Sequence, residues 1–176
     1  MQLVSKGAHV PVDSSQSAGE ITEDGIRYVL MRPDVLMGVA HELEHVSTQR
    51  FLEALERSAF RHVQSSFSRY QAKQPLSGTD FVASTCQAAE RLGWGVWSTG
   101  RELSKSLIVE VRNSPFAAGF GVSQIPVCAA IAGILRAVAL TAYGVDGPVI
   151  ELACASQGAP TCRFEIPTFH RTSGET

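Results

Sequence analysis

The stretch IELACASQGAPTCRF, residues 150–164, is the part of the sequence that most constrains the fold. Strand-forming residues lie on both sides of a Gln157-Gly158-Ala159 turn, a pattern typical of a β-hairpin. We therefore predict two antiparallel strands, residues 149–155 and 161–167, joined by this turn.

Two cysteines of the predicted hairpin, Cys154 and Cys162, each lie four residues from Gly158 and would face each other across the strands. Cβ atoms of such neighbours are about 4.5–5.5 Å apart, so two thiolates could bind one zinc ion. Glu151 would join them only if its strand contains a bulge or starts late, because an odd spacing in a regular strand reverses the side-chain direction. Cys128 could supply a third sulfur. From the residues alone, a zinc site, a Cys154–Cys162 disulfide and small buried hydrophobic side chains all remain open.

Upstream of the hairpin, apolar residues three or four positions apart predict four helices. Pro33 and either Ser47 or Thr48 suit helix starts, whereas Gly93 and Gly144 suit helix ends. The helices are predicted at residues 33–46, 48–72, 79–92 and 124–143.

Alternating apolar residues predict strands at residues 94–99 and 107–112, and a β-rich run lies near residues 20–30. The order is a strand pair, three helices, a strand pair, a helix and a hairpin. We therefore expect an α+β fold in which an antiparallel sheet packs against helices.

Length and composition predict one domain and exclude several functions. The chain has 176 residues, of which 44% are hydrophobic, and its net charge is −2. We expect a flexible leader at residues 1–18, a single domain at 19–170 and a flexible tail at 171–176. A net charge this close to zero produces no positive field that would attract nucleic acid. No apolar stretch is long enough to span a membrane. With no signal-peptide pattern at its start, the protein is expected to be cytoplasmic.

Three segments, residues 109–115, 125–143 and 150–164, resemble the V4R (4-vinyl reductase) domain. The most specific element is Glu-x-x-Cys followed by a glycine turn and Cys-Arg-Phe. The resemblance covers about residues 100–167. The preceding part, including residues 25–39, is similar to the N-terminal portion of the aromatic-sensing domains of phenol-responsive transcription activators.

In those sensors a Cys, Glu, Cys, Cys set holds zinc, and the resemblance implies the same role for Cys128, Glu151, Cys154 and Cys162. Four protein ligands leave no open coordination position, so such a zinc would be structural. Cys86 has no counterpart and is interpreted as a core or surface thiol.

The resemblance also implies a small-molecule binding module, because V4R and related domains bind hydrophobic molecules and their relatives commonly dimerise. A pocket for an apolar ligand could be lined by aromatic residues near the predicted sheet, unless these rings only fill the core: Phe81, Trp94, Trp97, Phe116, Phe120 and Tyr143. We expect a zinc-stabilised sensor or carrier rather than an enzyme, reporting through a homodimer built on helix 48–72 or through a regulatory protein. Because some family members are linked to bacteriochlorophyll synthesis, an accessory protein or enzyme of tetrapyrrole 4-vinyl reduction is the alternative.

A second motif, His41-Glu42-Leu43-Glu44-His45, satisfies the zinc-protease pattern H-E-x-x-H and its inverted form. On a helix, His41 and His45 would share one face. That face would lie opposite the predicted apolar stripe of Leu36, Val39, Leu43 and Val46, as expected of solvated polar residues. A zinc metalloprotease acting through the two histidines is the second alternative.

Overall fold

The computed structural model describes residues 19–23, 26–43, 45–103 and 105–169. The predicted leader and tail, residues 1–18 and 171–176, lie outside these ranges. The chain divides into two compact units, Met1–Met31 and Arg32–Thr176.

The described part of the first unit is an antiparallel strand pair. Strand β1 (Ile21–Glu23) pairs with β2 (Ile26–Tyr28), and Thr22 lies opposite Arg27. Arg27 Nη1 donates to Glu20 Oε1 at 3.1 Å on the exposed surface, where such a pair contributes little stability. The β-rich run predicted near residues 20–30 is confirmed.

The second unit contains five helices and four strands among its described residues. In chain order they are α1 (Pro33–Gly38), α2 (His45–Lys73), α3 (Gly78–Arg91), β3 (Val96–Glu102), β4 (Ser106–Arg112), α4 (Pro115–Phe120), α5 (Ala129–Tyr143), β5 (Ile150–Ala153) and β6 (Cys162–Pro167). A single 3₁₀ turn, Ala155–Gln157, lies between β5 and β6. The predicted α+β class is confirmed.

The four strands form one antiparallel sheet in the order β3-β4-β6-β5. Its inner face is apolar because side chains alternate along each strand. Val109 on β4 pairs with Phe164 on β6, and both are fully buried. The alternation predicted for the strand at residues 107–112 is confirmed, since Leu107, Val109 and Val111 are all buried.

Helix α5 is the centre of the core and contacts both β6 and α2. It is buried along most of its length. Where it meets α2 the backbones approach closely, since a Cβ atom on Gly133 would lie 2.2 Å from the carbonyl oxygen of Glu56. No helix in the described ranges has both the length and the apolar character needed to cross a bilayer.

The predictions of α2 and α3 are confirmed, but the predicted start of the last helix is wrong. Helix α5 begins at Ala129 rather than at residue 124, because Pro126 disfavours helical geometry in the residue before it. The predicted helix stop is confirmed, since Gly144 adopts the left-handed conformation with φ of 71°. Helix α4 was not predicted.

The predicted helix over residues 33–46 is also wrong, because α1 ends at Gly38. Glycine is a poor helix former, and the chain turns after it. The turn breaks the predicted apolar stripe, so that Val39 and Leu43 are 45% and 39% exposed whereas Met37 is buried.

Candidate metal centre

Four side chains meet at one end of α5, where each brings one possible ligand atom within 4.8 Å of all the others. Cys128 is the residue before α5, Glu151 lies on β5, Cys154 directly follows β5, and Cys162 begins β6. All three sulfur-bearing residues are buried. The structure thus brings together the whole ligand set predicted from the sequence.

The sulfur spacing fits one tetrahedral ion. Cys128 Sγ lies 3.5 Å from Cys162 Sγ and 3.9 Å from Cys154 Sγ. Zinc–sulfur bonds of about 2.3 Å at tetrahedral angles place two sulfurs about 3.8 Å apart. All four cysteines of the chain are free thiols in the structure, so the Cys154–Cys162 disulfide is not formed.

A β-bulge brings Glu151 to the cysteines. Glu151 pairs with Phe164 and Ala153 pairs with Arg163, so the register shifts by one residue between these pairs. Leu152 is the extra residue and is 44% exposed. The sequence predicts that Glu151 reaches the sulfur atoms only if its strand contains a bulge or starts late, and the structure contains the bulge.

The Glu151 carboxyl group is in a setting that favours a cation. Its Oε2 accepts a hydrogen bond from the backbone N–H of Cys128 at 3.1 Å. Its Oε1 is buried, and no described residue donates a hydrogen bond to it. Burial, followed by the interaction with Cys154, raises the pKa of Glu151 to about 8. A buried carboxylate oxygen without a donor is costly unless it binds a cation, so the donor set fits a metal ion.

The surroundings of Cys162 favour the thiolate form of its sulfur. Hydrogen bonds from Cys128 and Cys154 lower the pKa of Cys162 to about 3, and the N–H of Ala155 donates to its Sγ at 3.3 Å. The hydrogen bonds to the same two neighbours, together with burial, raise the pKa of Cys128 above the usual thiol range. The thiolate is the form in which cysteine binds metals.

Ser114 is a neighbour of the cluster that the sequence reasoning missed. Its Oγ lies 3.2 Å from Cys128 Sγ and accepts the N–H of Ala117 at 3.3 Å, which caps α4. The signal was available, since a serine followed by proline is typical of a helix start.

The other predicted thiol and the histidine motif lie elsewhere. Cys86 is buried in the core, and burial raises its pKa to about 11. His41 lies in the turn after α1, and its Nε2 is 2.8 Å from the carbonyl oxygen of Phe120. Because α2 begins only at His45, the two histidines do not share one helix, and the premise of the protease hypothesis is wrong. The side chain of His45 lies outside the described part.

Of the six predicted pocket residues, three belong to the buried core and three pack against it. The buried residues are Phe81, Trp97 and Phe116, and the partly buried ones are Trp94, Phe120 and Tyr143. Trp94 and Phe116 meet edge to face with ring centroids 5.0 Å apart. Phe120 also lines a cavity of about 360 Å³ beside His41.

Comparison with known proteins finds a family match over the segment that contains the candidate metal centre. Residues 107–168 match the model of the V4R domain family, so the resemblance predicted from the sequence is confirmed. This V4R segment runs from β4 to the end of the hairpin and contains all four residues of the cluster. No curated protein matches the chain.

Three solved structures are similar to this chain. The phenol-responsive sensory domain of the transcription activator PoxR, solved with phenol, has a TM-score of 0.71 and 19% identity over 85% of this chain and 80% of that domain. Subunit 3 of the trafficking protein particle complex from Naegleria fowleri, covalently bound to palmitic acid, has a TM-score of 0.55 and 10% identity. The match covers 77% of this chain and 93% of that subunit. A vinyl-4-reductase family protein from Methanocaldococcus jannaschii has a TM-score of 0.49 and 16% identity. The match covers 74% of this chain and 73% of that protein. The first two likenesses show a shared fold.

Proposed function

We propose that this chain is a zinc-stabilised binding module for a small hydrophobic or aromatic molecule and acts as a sensor or carrier. The observation that carries the proposal is the Cys128, Glu151, Cys154 and Cys162 cluster within a fold shared with a phenol-responsive sensory domain. The V4R match over residues 107–168 supports the same class.

Zinc is the ion we propose, and its role is structural. Three thiolates and a carboxylate suit zinc, and four protein ligands leave no position for a reacting water. Bound there, the ion would supply folding free energy by joining the start of α5 to both strands of the hairpin.

The proposed ligand is apolar. Phenol and palmitic acid, the molecules found with two proteins of this fold, are both small and largely apolar. In this chain, the rings of Trp97 and Phe116 are buried in the core, and Trp94 packs against Phe116. Aromatic walls with few polar groups are typical of sites for such molecules.

We further propose that the functional unit is a cytoplasmic domain at residues 19–170 that reports through a homodimer or a regulatory protein. The surface proposed for this contact is the outer side of α2, because its inner side packs on α5. The outer side carries exposed arginines, among them Arg50, Arg57 and Arg61. Light scattering after gel filtration tests the dimer, which requires twice the chain mass. A monomer at all concentrations would leave the partner-protein route.

Metal analysis tests the zinc site. Protein expressed with added zinc should contain about one zinc per chain, as a closed tetrahedral site requires. The double variant His41→Ala, His45→Ala should keep this zinc, whereas Cys154→Ser should lose it. Loss of zinc with the histidines, or its retention in the cysteine variant, would overturn the assignment.

A thermal-shift series tests the ligand class with phenol, palmitate and a porphyrin. A ligand that binds only the folded state adds about 2.7 kcal/mol of stability at a hundredfold excess over Kd. We expect phenol or palmitate to raise Tm. A shift with the porphyrin alone, accompanied by a change in its absorbance, would favour the tetrapyrrole alternative.

A further inference from the structure

A cleft of about 700 Å³ lies beside the candidate metal centre, outside the aromatic core. Its walls come from residues 113–114, from α4, from residues 121–124 and from the turn at residues 155–160. The volume falls within the roughly 300–1,000 Å³ typical of small-molecule sites. None of the six aromatic residues proposed above lines it.

The described residues that line this cleft include no ionisable side chain, although the chain carries 15 basic and 17 acidic residues. Three carboxamides, those of Asn113, Gln124 and Gln157, contribute to the lining, and each offers both donors and acceptors. Ala118 and Val122 add apolar surface. The lining offers an ion no opposite charge, whereas its amides and apolar groups suit an uncharged molecule.

Hydrogen bonds between the walls hold the cleft in shape. The N–H of Ser123 donates to the carbonyl oxygen of Ser156 at 2.9 Å, and Gln157 Nε2 donates to the carbonyl oxygen of Gln124 at 2.9 Å. Ser156 Oγ also donates to the carbonyl oxygen of Ala117 at 3.3 Å. A cleft formed before binding avoids the entropic cost of ordering its walls around a ligand.

We propose that this cleft is a second binding site, specific for an uncharged molecule that joins a carboxamide-like donor and acceptor to an apolar group. The carboxamides of Gln124 and Gln157 recognise the polar end, and Ala118 with Val122 packs against the apolar part. The site is separate from the aromatic core and does not depend on the ligand proposed there.

A matched pair of probes tests the charge rule. Benzamide and benzoate have nearly the same shape but differ in charge. In a ¹⁵N NMR titration of the full chain, benzamide should shift the amide signals of Gly121, Val122, Ser123 and Gly158 saturably. Benzoate should bind at least about tenfold more weakly, the cost of one unpaired polar group. Equal binding, or shifts confined to the aromatic core, would refute the proposal.

A matched pair of variants tests the location. Ala118→Trp fills the cleft and should weaken benzamide binding at least about tenfold, whereas Ala83→Trp, on the exposed surface of α3, should leave it unchanged. Gln124→Ala removes a carboxamide from the exposed rim, keeps the fold and should weaken binding by a few-fold. Undiminished benzamide binding in both Ala118→Trp and Gln124→Ala would overturn the site.

Discussion

At the scale of single residues, Glu151 makes the cluster more than a group of buried thiols. One of its oxygens accepts a backbone N–H, while the other is buried without a donor among the described residues. Cysteines that were buried only as small hydrophobic side chains would not require a buried carboxylate beside them. The carboxylate therefore provides a direct test of whether the cluster holds a cation.

Glu151→Gln should lower the affinity for zinc by at least about tenfold, because an amide keeps the shape of the carboxyl group but loses its negative charge. Competition with a chromophoric chelator measures the change. Glu110→Gln, half-buried on β4 outside the cluster, is the matched control and should bind zinc like the parent. Equal affinity in both variants would remove Glu151 from the ligand set.

Cys162→Ser should abolish zinc binding and lower the free energy of unfolding by more than about 3 kcal/mol, a fraction of the roughly 10–16 kcal/mol that structural zinc contributes in zinc fingers. Denaturant unfolding with parallel metal analysis measures both. Cys86→Ala also changes a buried thiol and should keep its zinc. Full stability of Cys162→Ser would mean that the sulfur has no structural role.

At the scale of elements, the long helices could be predicted because α2 and α3 keep apolar residues three or four apart over many turns. Periodicity failed at α1, where Val39 fits the pattern but lies beyond the helix end. It also missed α4, whose six residues are too few to show a period.

The ligand set of the candidate site followed from residue types and family resemblance, but its geometry did not. The reach of Glu151 depends on how β5 pairs with β6, and the register shift at Leu152 is a property of that pairing. The bulge could not be predicted from residues 150–153 alone, because the same residues can form a regular or a bulged strand.

Gly133→Ala should destabilise the protein by about 2–4 kcal/mol, because its new Cβ would lie 2.2 Å from the carbonyl oxygen of Glu56 and would push α5 away from α2. Thermal and urea unfolding measure the loss. Gly38→Ala is the matched control, since nothing lies within 4 Å of its added Cβ, and it should be neutral or slightly stabilising. Equal stability of the two variants would show that the helices can separate without cost.

At the scale of the whole molecule, the cluster joins segments that lie far apart in the sequence, while most buried residues of the core contribute no ligand to it. Val109, Phe164 and the interior of α5 are buried without contributing a ligand. The metal and the apolar core should therefore stabilise different parts of the domain.

Removal of zinc by a chelator should increase hydrogen exchange first at residues 113–128 and 150–162 and leave α2 protected, because α2 packs on α5 through apolar contacts. Exchange measured by mass spectrometry with and without chelator locates the change. Re-addition of zinc should restore protection, and a uniform increase across all peptides would contradict this division.

The bulge at Leu152 also has a meaning for the spacing of ligands along a strand. Faces alternate, so parity decides which residues can share a site, and three steps from Glu151 to Cys154 is an odd number. The extra residue at the bulge shifts the register by one, so Glu151 and Cys154 can face the same site despite their odd spacing. A Glu-x-x-Cys pair of ligands on a strand therefore requires an irregular strand. If Leu152 were deleted, the spacing would become Glu-x-Cys, and a regular strand would place both residues on the same face.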